Sequence, residues 1–393
     1  MTFAGAVAVN FLLNLVFYIL MTTMALYAIG QFRADGTVAG LTASIFVLGA
    51  LITRLLATRL IVSIGPRRTF LLGAALSVVL SLAYFVASPL WVLIVVRCLH
   101  GAGFGLAHSA IGGIAQSVLP RQRRGEGTGY FATASTLGSA FGPMVGLAAI
   151  QLGGYQGMFV LVATASLVAL SLAMLLRRAE SPDALGAGRQ QSAEADGGVA
   201  PVRLSQAKAL WAILPIGSVA FVQSLAYSGV AAFAGVHSLG LGGSAATGTF
   251  FIVYASAVVL VRIFGGKVLD RHGPATVFYP SISVYLVALV LVALAPTVPV
   301  LLLGAFLLGL GYGSLLPTGQ TIAVQLLPQG QSGVAFSWFF IFVDLGFGVG
   351  PLLMGFLVTL TDTRTMILIS CSTVLLAGLL FRTLVPQWSE AGQ

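Results

Sequence analysis

The chain has 393 residues, of which 58% are hydrophobic and only 7% are charged. Soluble domains carry roughly 25% charged residues, so this composition excludes a soluble globular protein and indicates a protein of the lipid bilayer. The net charge of +9 does not indicate a nucleic-acid partner, because the basic residues are scattered over short loops between apolar runs, as in the cytoplasmic loops of membrane proteins.

Apolar runs of about 20 residues, each long enough to cross a hydrocarbon core of roughly 30 Å, recur from residue 4 to residue 385. We count twelve, numbered here as spans 1 to 12, which predicts an all-α integral membrane protein. Residues 177–207 are rich in charge, Gly and Pro and predict a cytoplasmic linker between two six-helix bundles, residues 1–176 and 208–393. Most of the 19 Lys and Arg then lie on the side of the two termini, so we expect both termini in the cytoplasm.

The two halves repeat one another. An offset of 208 residues aligns them without a gap over a long stretch and places Gly142 and Pro143 on Gly350 and Pro351. Two bundles repeated in parallel are the architecture of secondary transporters, in which a site near the bilayer midplane lies between two halves that rock. No GxxxxGK[ST] motif occurs in the sequence, so nothing in it predicts the use of ATP.

Three motifs resemble signatures of the major facilitator superfamily. GKVLDRHGP (266–274), after span 8, is similar to the family's loop signature, although Val62 replaces the expected aspartate in the aligned loop of the first half. RCLHGAGFGLAH (97–108) on span 4 resembles the Arg-xxx-Gly-x-Gly signature, and GSAFGPMVG (138–146) on span 5 resembles GxxxGPxxG, the mark of proton-coupled antiporters in that family. The residues that carry the loop and span 5 motifs, with the repeat copy on span 11, are Asp270, Arg271, Gly273, Gly138, Gly142, Pro143, Gly146, Gly350 and Pro351.

The resemblance implies the major facilitator fold and an exporter of a small amphipathic organic molecule, driven by protons without a cofactor, in a bacterial-type cytoplasmic (inner) membrane. The nearest-looking relatives are drug and metallophore efflux antiporters. Two alternatives stay open, a proton-coupled importer or uniporter on the same fold and a non-transporting receptor or scaffold. We expect no enzyme, since the sequence shows no nucleophile with its base, and no metal site, since His100 and His108 are not spaced to share an ion. A monomer is expected.

Four residues within the spans are candidates for proton coupling or gating. Asp344 is the only acidic residue that we place deep in a span, which makes it the first candidate for a proton carrier. An ion pair with Arg54 would instead make it a gate latch, because both residues lie about ten positions from the cytoplasmic ends of spans 11 and 2, which are neighbours in the resembling fold. Arg97 takes part in proton transfer or substrate binding by resemblance, or else packs against backbone carbonyls. His100, one turn away, either titrates or hydrogen-bonds inside the bundle.

The resembling fold lines its central cavity with spans 1, 4, 7 and 10. Span 1 carries polar residues at positions 10, 14 and 18, and span 7 repeats this helical spacing at positions 223 and 227. The candidate cavity residues are Asn10, Asn14, Phe17, Tyr18, Arg97, Gln223 and Tyr227. Alternatively, the amides hold helices together. The glycines of GSAFGPMVG are expected to form a close-packing seam against the opposite half, by resemblance against span 8.

Overall fold

The computed structural model describes residues 2–118, 124–175, 204–328 and 331–385, and these residues are helical almost throughout. The helices are α1 Phe3–Phe32, α2 Gly36–Ile64, α3 Pro66–Ala83, α4 Leu90–Ser117, α5 Arg124–Leu175, α6 Gln206–His272, α7 Pro274–Leu294, α8 Val298–Gln325, α9 Ser332–Leu360 and α10 Thr363–Leu384. The predicted linker lies outside the described residues except for positions 204–207. The boundaries of the two bundles therefore stay a prediction.

Two of these helices are too long for a single crossing of the bilayer. α5 has 52 residues and is broken at Gly153 and Gly154, the second of which has φ 62°. α6 has 67 residues, and Gly243 within it has φ 67°. Glycine adopts these left-handed angles without the clash that a Cβ atom would cause, so each helix folds into two arms. Spans 5 and 6 are the arms of α5, spans 7 and 8 are the arms of α6, and spans 9 to 12 are α7 to α10.

The expected all-helical membrane fold is confirmed. Ten helical stretches of the described chain are long and apolar enough to cross a membrane, and the second arm of α6 adds a shorter apolar helix, Ala245–Val261. The turns predicted between spans 5 and 6 and between spans 7 and 8 are absent as separate loops in this part of the chain. Glycine breaks inside continuous helices take their place.

The internal repeat is visible in the backbone. α2 ends at Gly65, which has φ 88° and ψ 155°, and Pro66 begins α3. One repeat offset of 208 residues later, α6 ends at Gly273, with φ 80° and ψ 168°, and Pro274 begins α7. A proline suits the first helical position because its missing N–H would have no partner there. Both halves therefore use the same sharp turn between their second and third spans.

Helices α2 and α9 bring the backbones of the two halves into direct contact. A Cβ atom built on Gly36 would lie 2.6 Å from the carbonyl oxygen of Gly355, and one on Gly40 would lie 2.8 Å from the carbonyl carbon of Pro351. Two glycines four residues apart share one face of a helix, so α2 offers a strip without side chains. We call this crossing, formed by Gly36, Gly40, Pro351 and Gly355, the α2–α9 seam.

Hydrogen bonds hold the two helices together along the seam. The backbone N–H of Thr37 donates to Oγ1 of Thr359 (2.9 Å), and that of Leu352 donates to Oγ of Ser44 (3.0 Å). The seam lies toward the face of the molecule where α1 ends and α2 begins. We call this the distal face, because it is opposite to the face that holds the N-terminus.

The glycines of GSAFGPMVG do not face the opposite half. Cβ atoms built on Gly138 and Gly142 would lie 2.7 Å from the Cβ atoms of Asn14 and Tyr18, both on α1 of the same half. The prediction that these glycines pack against span 8 is therefore wrong. Glycines four residues apart share one helix face, and here that face closes the N-terminal bundle around its first helix.

The repeat copy of this motif behaves in the same way. A Cβ atom on Gly346 would lie 2.6 Å from the carbonyl oxygen of Phe221, on the first arm of α6. Gly350 packs against the same arm, where its Cβ would lie 3.1 Å from the Cα atom of Leu225. Both glycine runs are thus seams inside a bundle, span 5 on span 1 and span 11 on span 7.

Candidate functional site

An ion pair joins the two halves farther along the helices that form the seam. The guanidinium of Arg54 on α2 donates a hydrogen bond to the carboxylate of Asp344 on α9. The two side chains remain 19% and 24% exposed, so the pair borders a space that water can reach rather than a sealed core. The structure thus brings together two predicted site residues that are 290 positions apart in the chain.

His108 faces the same region from α4. It lies within electrostatic range of Arg54, and its ring stacks on Phe104 with centroids 5.2 Å apart. The sequence analysis considered His108 only as a metal ligand. Among the described residues, no group of three or more His, Cys, Asp or Glu is arranged to hold a metal ion.

Arg97 is buried inside the N-terminal bundle. Its Nε donates to the carbonyl oxygen of Thr42 (2.7 Å) and its Nη2 to that of Ala43 (3.3 Å), both on α2. The guanidinium carbon lies 4.7 Å from the centroid of the Phe46 ring, within the range of a cation–π interaction. In this conformation Arg97 packs against backbone carbonyls, which is the alternative that the sequence analysis gave to a part in proton transfer or substrate binding.

His100 also has a partner inside the bundle. Its Nδ1 lies 3.0 Å from the hydroxyl oxygen of Tyr84, and both residues are almost fully buried. Its ring centroid is 5.3 Å from that of Phe46, the ring beneath Arg97. Arg97 and His100 therefore belong to one packed cluster between α2, α3 and α4.

The two asparagines of span 1 hold helices together. Nδ2 of Asn10 donates to the carbonyl oxygen of Phe131 and to Oγ of Ser135, both at 2.9 Å on the first arm of α5. Nδ2 of Asn14 donates to the carbonyl oxygen of Asn10 (2.8 Å). Both amides are buried, so they fill the helix-packing role that was the alternative to lining a cavity.

Aromatic rings gather where the two halves meet. On the N-terminal side, Phe17 of α1 stacks on Phe104 of α4 with centroids 5.4 Å apart and an interplanar angle of 20°. On the C-terminal side, Tyr227 of α6 stacks on Tyr312 of α8 at 3.8 Å and 6°. We call these pairs the N-terminal stack and the C-terminal stack.

Phe347 of α9 lies between the two stacks. Its ring centroid is 6.1 Å from Phe17, 6.1 Å from Tyr18 and 5.8 Å from Tyr227. It is only 3% exposed, and its ring is tilted by 52° and 61° to Phe17 and Tyr227. One side chain therefore bridges the aromatic groups of both halves.

Polar groups accompany the C-terminal stack. The hydroxyl of Tyr254 donates to that of Tyr227 (2.8 Å), and the hydroxyls of Ser224 and Tyr312 lie 3.3 Å apart. Gln223 lies one helical turn before Tyr227 and is 1% exposed, yet its Oε1 accepts no hydrogen bond from the residues that the structure describes. Buried carbonyl groups of this kind are normally bonded, so this acceptor is suited to a donor from outside the chain.

Some predicted residues lie elsewhere or outside the description. Gly273 ends α6, but the side chains of Asp270 and Arg271 are not among those described.

The sequence analysis missed Phe104, Phe347, Tyr254 and Tyr312. A signal for two of them existed, because the 208-residue offset aligns them with aromatic residues of the first half. It aligns Phe46 with Tyr254 and Phe104 with Tyr312.

Comparisons with known proteins agree on one family. The family model described as Major Facilitator Superfamily matches residues 6–288 and 216–391. An uncharacterized MFS-type transporter of Burkholderia pseudomallei (strain K96243) is 27% identical over 328 residues, which cover 80% of this chain and 75% of the relative. Another, from Pseudomonas aeruginosa (strain UCBPP-PA14), is 31% identical over 150 residues, 34% of this chain and 37% of the relative.

Solved structures with the same fold include transporters of different substrates. A POT family transporter in complex with a thioalcohol-conjugated peptide has a TM-score of 0.78 at 14% identity, over 99% of this chain and 96% of the other. The nucleoside transporter NupG has a TM-score of 0.71 at 14% identity, over 98% and 99%. At this level of identity the likeness concerns the fold alone.

Proposed function

The chain belongs to the major facilitator superfamily of membrane transporters, and we propose that it exports a small amphipathic organic molecule in exchange for protons. In this proposal it works as a monomer in a bacterial cytoplasmic membrane, with both termini in the cytoplasm. The proton gradient is its energy source and no cofactor takes part. The observation that carries the proposal is the ion pair between Arg54 and Asp344, because it connects a titratable group to the contact between the halves.

The conformation supports loading from the cytoplasm. Contacts between the halves occur near the distal face, where Thr37 bonds Thr359 and where Cβ atoms built on Gly235 and Gly248 would meet Leu26 and Gln151. If the termini are cytoplasmic, the distal face is the outer one. The structure then corresponds to a state closed on the outside, which is the state in which an exporter takes up its substrate.

The ion pair gives a route for coupling. With substrate bound, the halves rock so that the outer side opens, and in this proposal α2 shifts along α9 so that Arg54 and Asp344 separate. The carboxylate of Asp344 then binds a proton from the outside while the substrate leaves. On the return, the approaching guanidinium of Arg54 disfavours the neutral acid, so the proton is released to the cytoplasm and the pair forms again.

The amphipathic character of the substrate follows from the groups at the centre. The two aromatic stacks supply apolar surface, while Gln223 and the tyrosine hydroxyls supply a few polar groups. Pockets for small organic molecules combine these features. Arg54 and Asp344 neutralise each other, whereas Arg97 is bonded to backbone carbonyls through Nε and Nη2 and its Nη1 has no partner among the described residues.

The test is transport by purified protein in proteoliposomes. Ethidium, an amphipathic aromatic dye, serves as the probe, with the membrane potential clamped by valinomycin and equal potassium concentrations. We expect ethidium to accumulate in vesicles with an acidic lumen, as protons leave in exchange. Asp344→Asn should reduce this accumulation to the level of protein-free vesicles, whereas Asp362→Asn, at an acid in the loop before α10, should not.

Other outcomes would contradict the proposal. Accumulation in vesicles with an alkaline lumen would indicate proton-coupled import. Equilibration that is insensitive to the pH gradient would indicate a uniporter. Undiminished gradient-driven transport by Asp344→Asn would exclude this residue as the proton carrier.

A further inference from the structure

We propose that Phe347 occupies the place of the substrate's aromatic ring, so that the site selects planar aromatic molecules that carry an N–H or O–H donor. This inference rests on the proposed function only in calling the bound molecule a substrate, because binding can be measured without transport. It assigns a ligand-binding role to the space between the N-terminal and C-terminal stacks. In the described structure that space is filled by the protein's own ring.

The two stacks face this space from opposite halves. Phe104 and Tyr312 are equivalent by the 208-residue offset, and each is stacked by a ring from the first span of its own half, Phe17 or Tyr227. The halves therefore present similar aromatic surfaces to each other. Aromatic pairs prefer offset-stacked or edge-to-face arrangements with centroids roughly 4.5–7 Å apart, and a planar ring between the two stacks would have partners on both sides.

Phe347 meets these surfaces as a bound ring would. Its centroid distances of about 6 Å to Phe17, Tyr18 and Tyr227 lie within the range of aromatic contacts. All three neighbours lie on other helices, α1 and the first arm of α6. A side chain with one aromatic neighbour on its own bundle would be ordinary core packing, but this ring contacts both halves at once.

The buried amide of Gln223 indicates the polar part of the ligand. Its Oε1 is buried without a donor among the described residues, and Gln223 shares a helix face with Tyr227, one turn away. The hydroxyl of Tyr285 is likewise buried without a partner, and its ring lies 5.8 Å from that of Tyr312. Unpaired buried polar atoms are costly, and both occur on the C-terminal side. A ligand is therefore expected to point its donor toward this side.

The N-terminal half also holds buried polar atoms without a partner among the described residues, including Nη1 of Arg97, but its rings differ from those of the C-terminal side. The residue equivalent to Tyr254 is Phe46, and the one equivalent to Tyr312 is Phe104, so hydroxyls are replaced by ring edges. The C-terminal wall thus carries more hydroxyl groups than the N-terminal wall, where Tyr18 is the ring beside Phe347 that has one. This asymmetry would orient a planar molecule that has its donor groups at one edge.

The test is the affinity of purified protein in detergent for ethidium, measured by its fluorescence. Ethidium has a planar ring system with amino donors. Phe17→Ala and Tyr227→Ala remove rings that contact Phe347, and each should weaken binding by about three- to tenfold, the loss expected for one ring contact. Phe347→Ala should strengthen binding, because it removes the ring that competes for the space, and Phe347→Leu should do so less because it keeps part of the volume.

Two controls make the result specific. Phe381→Ala removes another stacked ring of the C-terminal half, 3.7 Å from Phe278, and should lower stability without changing the affinity of the folded protein. Tetraphenylphosphonium, a cation that is neither planar nor a donor, should bind more weakly than ethidium. If Phe347→Ala weakens ethidium binding as much as Phe17→Ala does, Phe347 is a stacking partner and not a substitute for the ligand.

Further outcomes separate this inference from the proposed function. Absence of ethidium binding to both the wild type and Phe347→Ala would overturn the inference even if export of another molecule were found. If the variants bind ethidium in the predicted order of affinity but show no proton-driven transport, the inference stands and the proposed export function is refuted.

Discussion

The α2–α9 seam can be tested with one methyl group. In Gly40→Ala the new Cβ would lie 2.8 Å from the carbonyl carbon of Pro351, closer still to its oxygen, and 3.2 Å from the Cα atom of Leu352. These are backbone atoms, which cannot rotate away as the end of a side chain can, so the two helices must move apart. Overpacking of this kind costs about 1–3 kcal/mol.

A matched substitution isolates this cost. Gly112 is also a helical glycine about five residues from a helix end, but a Cβ atom there would have nothing within 4 Å. Both substitutions to alanine gain about 1 kcal/mol of helix propensity, so this contribution cancels when the two variants are compared. We therefore expect Gly40→Ala to be less stable than Gly112→Ala by about 1–3 kcal/mol.

Denaturant-induced unfolding in detergent, followed by tryptophan fluorescence, measures this difference. Because the seam also carries the contact between the halves, Gly40→Ala should change the rate of transport, while Gly112→Ala should not. Equal stabilities of the two variants would show that α2 and α9 do not meet backbone to backbone, and the seam would be refuted.

Three further predictions concern single groups. In detergent unfolding, Gly138→Ala should be less stable than Gly113→Ala by about 1–3 kcal/mol, because only the first new Cβ meets α1; equal values would contradict this. Arg97→Lys should lower the thermal midpoint, since an ammonium cannot bond two carbonyls while lying flat on a ring; an unchanged midpoint would contradict this. Asp362 caps α10, and hydrogen bonds from the residue three positions later hold its pKa below the usual value. Its charged form should therefore stabilise the protein near neutral pH, and this advantage over Asp362→Asn should vanish as the pH falls through the lowered pKa; a pH-independent difference in midpoint would contradict this.

The interfaces between the halves are unequal although the sequence repeats. Gly40 and Gly248 are equivalent by the 208-residue offset. The Cβ of Gly40 would meet the backbone of Pro351, whereas that of Gly248 would meet only the side-chain amide of Gln151, at 3.2 Å. A side chain adjusts to motion more easily than a backbone crossing does, so the α5–α6 contact is the less constrained of the two.

The composition and the repeat were sufficient to predict the membrane fold. Long apolar runs have few stable alternatives to helices in a bilayer, because every backbone group must be bonded within the segment. The 208-residue offset predicted that both halves share one design, and the turns at Gly65 and Gly273 agree with it. The pair of Arg54 and Asp344 was foreseeable too, since charges within spans need partners and these two lie at matching depth.

The partner of each helix face was decided only by the tertiary structure. The sequence analysis expected GSAFGPMVG to meet the opposite half, but Gly138 meets Asn14 of the same bundle, and the aromatic centre around Phe347 was not foreseen. The physical reason is that lipid and bundle interior are equally apolar, so hydrophobic periodicity does not distinguish the face that meets lipid from the face that meets another helix. Which small residues and rings come together depends on how the helices cross, and that is settled only when the whole chain has packed.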